Sequence, residues 1–167
     1  MQLVIKNISE NELEDFLSVL KDATLWLKNE GKEMWNDSQL SSVNLLRNNS
    51  IDQLFIGYIN YEIAAVMILQ EEDKTFWPDA KNDSLFLHKL AVRRKYAKQG
   101  ISKDMINWAK SRARNLNMKY LRLDCAAERF KLCEFYEMQG FKMVNERVMF
   151  GKYPTAFYEF EFIQDVD

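Results

Sequence analysis

Between Val92 and Met105 the chain reads VRRKYAKQGISKDM, where basic side chains crowd a single glycine between an apolar run and an amphipathic one. Over Arg93–Arg114 eight Lys and Arg residues stand against Asp104 alone, a local net charge of +7. A strand-to-helix junction of this kind presents free backbone N–H groups at a helix N-terminus. Those donors and the helix dipole together favour a phosphate or pyrophosphate. Gly100 lets the backbone approach such an anion without a Cβ in the way. The competing reading is a solvated basic turn; the concentration of charge and the strand–loop–helix context favour the anion site. Cys125 and Cys133 lie in apolar-patterned segments without metal-ligand spacing, and His88 is the sole histidine. The spacing therefore offers no Cys/His set for zinc, and no metal is expected.

The rest of the chain bounds what this loop can serve. Its 167 residues suit one compact domain over 1–167, long enough to bury a core without disulfides or metals. At 47% hydrophobic and 29% charged it is a folding chain, not a disordered tail. The formal net charge of −2 works against a dedicated nucleic-acid binder. No apolar run approaches a membrane span, and the acidic N-terminal stretch lacks a signal-peptide core, so a cytoplasmic location and no membrane partner are expected.

The loop must be held by regular elements, and their order is readable. Leu3–Ile5 reads as a short strand. Ser9 and Glu12 have capping-box spacing before a helix whose apolar positions, from Leu13 to Leu27, stop before Gly31. A shorter helix follows Asp37. Leu54–Ile59 and Ile63–Leu69 form a hairpin pattern, and the polar stretch from Glu71 to Ser84 reads as a loop. Leu85–Val92 is a nearly continuous apolar strand, of the kind buried on both faces. Ile101, Met105, Ala109, Ala113 and Leu116 mark an amphipathic helix. Tyr120–Cys125 is a strand, Leu132, Phe135 and Tyr136 line a helix ended by Gly140, and Phe141–Phe150 and Tyr158–Phe162 are the last strands. The order is β-α-α-β-β-β-α-β-α-β-β, a mixed α/β (α+β) chain with a central, mostly antiparallel twisted sheet and about four helices.

The segments LHKLAV, KQGIS, MINWAKSRA, YLRLDC and FYEMQGF together resemble the GNAT acetyltransferase superfamily, closely over Leu85–Phe141 and in element order over the whole chain. The family's loop pattern is Arg/Gln-x-x-Gly-x-Gly/Ala. Aligned on Gly100, its first position falls on Ala97 and its last on Ser102, and both depart from it. The resemblance implies that the backbone amides of Lys98, Gln99, Gly100, Ile101, Ser102 and Lys103 hold the pyrophosphate of acetyl-CoA. It also implies that the strand edge at Leu90, Ala91 and Val92 bonds the pantetheine arm as another strand would. FYEMQGF matches the family's Leu/Phe-Tyr-x-x-x-Gly-Phe segment. Seven residues before Tyr136, where the family often has Asn, stands Arg129, a cation that can meet a phosphate.

Acetyl transfer to an amine needs a neutral amine, a donor to the carbonyl oxygen and a proton for the leaving thiolate. By this resemblance the Leu90 amide serves the carbonyl and the Tyr136 phenol serves the thiolate. His88 occupies a position where relatives carry an acidic residue or histidine, and imidazole titrates in the range useful for taking the amine proton. The plain alternative for His88 is a satisfied core histidine, with a water chain taking the amine proton instead. Trp26 and Trp35 flank Gly31 in a stretch that resembles the one covering the acceptor site in small bacterial relatives, so both are candidates to wall it, with simple core packing the alternative for Trp26, which keeps helical register; Tyr61 and Trp77 are weaker candidates. The expected activity is transfer from acetyl-CoA to a primary amine of a small molecule or peptide. The alternatives are a catalytically silent CoA-binding sensor or partner module, and third, nucleic-acid binding by the basic helix. The YEFEF strand is either internal or an edge shared with a second copy, which leaves a homodimer open.

Overall fold

The computed structural model describes residues 2–32, 35 and 37–163. Seven strands form one sheet in the order β1-β2-β3-β4-β5-β7-β6. They are β1 (Leu3–Asn7), β2 (Leu54–Ile59), β3 (Glu62–Gln70), β4 (Ser84–Val92), β5 (Tyr120–Ala126), β6 (Lys142–Met149) and β7 (Tyr153–Glu161). The helices are α1 (Leu13–Asn29), α2 (Ser42–Asn48), α3 (Ile101–Asn115) and α4 (Phe130–Met138). The expected order and the mostly antiparallel sheet are both present. β4 and β5 run parallel, with a ladder over Ser84–Phe86 and Tyr120–Arg122, while β1–β2, β2–β3, β5–β7 and β6–β7 are antiparallel.

The chain divides into two compact units, Met1–Leu69 with Lys89–Trp108, and Gln70–His88 with Ala109–Asp167. In the first, Ser9 and Glu12 close the expected capping box around a single 3₁₀ turn that leads into α1. α1 then buries Phe16, Leu17, Val19 and Leu20 against Ile8, Leu40, Leu45, Leu54, Ile56, Val66 and Ile68. Phe16, Leu17 and Leu20 are among the apolar positions that the 3.6-residue period put on one face, and Val19 is buried beside them. Glu12 is fixed across this core by bonds from the Lys6 ammonium (2.9 Å), the Ser9 amide (3.0 Å) and the Tyr58 hydroxyl. Burial alone would raise its carboxyl, but these donors outweigh it and hold the pKa at about 2.

In the second unit the core is aromatic. Tyr136 of α4 meets Phe141 edge-on (centroids 5.9 Å apart) and Tyr158 at 6.3 Å, and Trp77 meets Phe157 at 5.4 Å and Phe86 at 6.0 Å. The stretch before Ser84 is the expected loop. The last strand begins at Tyr153, earlier than the expected Tyr158, and takes Pro154 into the ladder opposite Val148. Proline can occupy a strand where no N–H is required of it, and Pro154 contributes its carbonyl, which accepts from the Ala127 amide at 2.9 Å. β7 pairs with β5 on one side and β6 on the other, so YEFEF is internal; the edge on that side is β6.

Candidate active site

In the first unit, β4 does not run straight into the basic loop. Lys89 adopts φ +49°, a left-handed conformation that costs a lysine on the order of 1 kcal/mol, and it breaks the alternation of side chains just before Leu90. Its ammonium lies 5.6 Å from the centre of the Trp35 ring. Trp35 is half-buried against the α1 core, so it is partly a packing residue. Beyond the bulge, Ala91 is buried and Leu90 and Val92 are half-buried.

The loop spends part of its charge internally. The Arg93 amide donates to Ala64 O at 2.8 Å, and its guanidinium pairs with Asp22 and donates to Ser18 Oγ (2.7 Å) on α1. Arg94 stacks on Trp26, its guanidinium carbon 3.8 Å from the ring centre. Lys95 pairs with Glu62 at 2.7 Å, and the Tyr96 hydroxyl donates to the same carboxylate at 2.5 Å. The Lys95 bond, with Tyr96 next, holds the Glu62 carboxyl below its ordinary value and keeps the lysine proton above its own. These bonds pin the start of the loop and leave Lys98 and Lys103 exposed at its tip.

There the backbone turns twice through left-handed geometry, at Lys98 (φ +62°) and Gly100 (φ +80°). A Cβ built on Gly100 would meet nothing within 4 Å, so the glycine faces open space. α3 starts at once. Its first bond runs from the Asp104 amide to Gly100 O at 3.1 Å, which places the amides of Ile101, Ser102 and Lys103 ahead of the helical ladder. Open donors, a fifteen-residue helix dipole and two exposed lysines fit a pyrophosphate. Gln99 turns its amide back to Lys95 O at 3.3 Å and braces the loop.

In the second unit, Tyr136 is 9% exposed on α4. Burial, reinforced by the nearby Cys125 and opposed by Arg129, pushes its phenol well above the ordinary tyrosine value. It therefore stays protonated near neutrality, with its O–H available as a hydrogen-bond donor. Arg129 is half-buried directly before α4, where its own amide bonds Ala126 O at 3.1 Å. Cys125 and Cys133 approach to 3.7 Å as free thiols on the α4 side of β5, and burial raises the Cys125 thiol.

His88 sits on β4 with its Nε2 3.5 Å from Asp73 Oδ2, and Asp124 of β5 completes a group whose ligand atoms lie within 4.8 Å of one another. Asp73 and Asp124 escaped the sequence reading. Asp73 lies in a stretch read as a featureless loop, and β4–β5 pairing, which nothing in the spacing shows, is what brings Asp124 alongside. Trp77 belongs to the aromatic core, under the Arg122 guanidinium at 4.9 Å. Tyr61 is fully exposed in the β2–β3 turn.

A model of the acetyltransferase (GNAT) family matches residues 10–141. An N-acetyltransferase of Bacillus subtilis, YesJ, itself uncharacterized, is 28% identical over 148 residues, covering 80% of this chain and 78% of its own. Among solved structures, a GNAT-family acetyltransferase from Listeria monocytogenes has a TM-score of 0.79 at 19% identity, covering 96% of this chain and 95% of its own. The PaiA N-acetyltransferase of Thermoplasma acidophilum, solved with coenzyme A, has a TM-score of 0.73 at 15% identity, covering 97% and 100%. The glycine loop at the head of α3 and the buried tyrosine of α4 thus stand within a matched family segment, and the chain belongs to the acetyltransferase (GNAT) family.

Proposed function

We propose that this chain is one acetyltransferase domain over residues 1–167 that transfers an acetyl group from acetyl-CoA to a primary amine of a small molecule or peptide by direct attack. The observation that carries the reading is the loop tip. Gly100 at φ +80° faces open space ahead of α3 with Lys98 and Lys103 exposed beside it, an arrangement that suits an anion. The coenzyme A complex of PaiA adds weight to the choice of anion.

In this reading the amides from Lys98 to Lys103 hold the pyrophosphate, with Arg129 a further phosphate contact. The edge Leu90–Val92 bonds the pantetheine arm, and the Leu90 amide polarises the thioester carbonyl. The amine nitrogen attacks the carbonyl carbon and the C–S bond breaks. The Tyr136 hydroxyl gives its proton to the leaving sulfur, and His88 takes the proton lost by the amine. Trp26 and Trp35 line the acceptor side. The reaction takes place in the cytoplasm and calls for no nucleic acid or membrane; among the described residues no helix is long and apolar enough to cross one.

The test is a thiol-release assay with acetyl-CoA against amines, aminoglycosides, polyamines, amino acids and peptides. Acetyl-CoA binding with turnover on at least one amine is expected. Binding without turnover on any of them would favour the silent CoA-binding module, for which the departures at Ala97, Ser102 and Arg129 speak.

A further inference from the structure

We propose that Asp73, His88 and Asp124 form a binding site for a divalent transition cation of the zinc class. The fold builds this group from three separate places. His88 and Asp124 lie two residues beyond the paired Phe86 and Arg122 of the parallel ladder, so the pleat puts all four on one face of the sheet. Asp73 comes from the loop before β4, with its side chain only 8% exposed. One of its oxygens, Oδ1, accepts from the Phe76 amide at 3.1 Å, which orients the carboxylate. The other, Oδ2, is buried without a hydrogen-bond donor and points at the imidazole, 3.5 Å from His88 Nε2.

Charge argues in the same direction: two carboxylates converge on one imidazole in a partly buried place, and a divalent ion carries the charge opposite to both. Arg122, on the same face, is held by Glu159 (3.1 Å) and Ser84 (2.8 Å) and pairs with Asp83 at 3.6 Å. One imidazole nitrogen and two carboxylate oxygens suit zinc and its neighbours, and three protein ligands leave a position for water. Tetrahedral bonds of about 2.0–2.2 Å place donors about 3.4 Å apart, so the three atoms need draw in by roughly an ångström.

The experiment is calorimetric titration of ZnCl2 into the full chain after chelator treatment and its removal, paired with thermal melts. Cys125 and Cys133, whose sulfurs lie 3.7 Å apart, are the competing ligands, so the same titration is run on a Cys125→Ser/Cys133→Ser double variant. The expected result is one ion per chain, a zinc-dependent rise in melting temperature, the same binding in the double variant, and affinity weakened by at least about tenfold in both Asp73→Asn and His88→Gln. Circular dichroism establishes that each variant is folded, and either of the last two suffices if the other is not. No binding at about 100 µM zinc, binding unchanged in the folded Asp73→Asn or His88→Gln protein, or binding lost in the double cysteine variant would each overturn the site. None of these readouts involves acetyl transfer, so the proposal stands or falls separately from the activity; with an ion on His88 Nε2, the amine proton leaves through water instead of to His88.

Discussion

Tyr136 differs from an ordinary helix tyrosine in what surrounds its ring. Phe141 and Tyr158 pack against it, and burial holds the phenol proton well above the usual tyrosine range. A group whose pKa is raised keeps its proton as pH climbs but gives it up less readily, so the hydrogen bond from the phenol to the leaving sulfur should persist through pH 9. Tyr136→Phe keeps the ring and its contacts and removes only the proton donor. Turnover should fall about 100-fold, with the KM for acetyl-CoA changed less than about twofold. Steady-state kinetics at pH 7–9 check this, and undiminished turnover would remove Tyr136 from the reaction. At this scale a lone glycine among lysines stands out by residue type, whereas Tyr136 stands out only through the resemblance of FYEMQGF to the family's segment. Asp73 does not stand out, because an aspartate in a polar loop is ordinary until the fold sets it 3.5 Å from His88.

Elements turn such residues into sites, and α3 is the clearest case. Gly100→Glu would set a carboxylate at the mouth of the open amides, where repulsion of a pyrophosphate is worth several kcal/mol. Acetyl-CoA affinity should drop about 100-fold or more by calorimetry. The fold should survive, because no atom lies within 4 Å of the new Cβ and the left-handed φ costs only about 1–2 kcal/mol. Unchanged affinity would move the phosphate elsewhere. The start of α1 makes a second prediction. Glu12 has its carboxyl lowered from 4.5 to about 2, so its contribution is fully present above pH 4.5 and is lost as pH falls toward 2. Glu12→Gln should cost on the order of 3 kcal/mol at pH 7 and almost nothing at pH 2, read from urea unfolding at both values. Equal costs at the two pH values would mean that packing, not charge, makes the difference. Hairpin, helices and capping box were readable because each follows from a local period or spacing. The Lys89 bulge and the β7 start were not: nothing marks a lysine for φ +49°, and Pro154 reads as a break until the partner of its carbonyl is known.

For the whole molecule, the net charge of −2 divides into +7 over Arg93–Arg114 and −9 elsewhere, and the structure changes what the +7 can do. Arg93, Arg94 and Lys95 are taken up by Asp22, Trp26 and Glu62. Lys110 donates to Gln139 O at 2.5 Å and lies 4.0 Å from the centre of the Phe160 ring, where burial lowers its pKa, and Arg114 lies over Phe162. Lys98 and Lys103 remain exposed at the glycine turn. Two lysines beside a set of amides suit a compact anion, while a polyanion needs a continuous run of cations whose counterions it can release. Acetyl-CoA binding should therefore weaken about three- to tenfold between 50 and 300 mM salt, as two exposed charges are screened. Duplex DNA should show no binding tighter than about 0.1 mM at 150 mM salt by fluorescence anisotropy. Micromolar DNA affinity with a steep salt slope would mean that the committed arginines let go of Asp22 and Trp26, and the basic segment would then be a nucleic-acid surface after all.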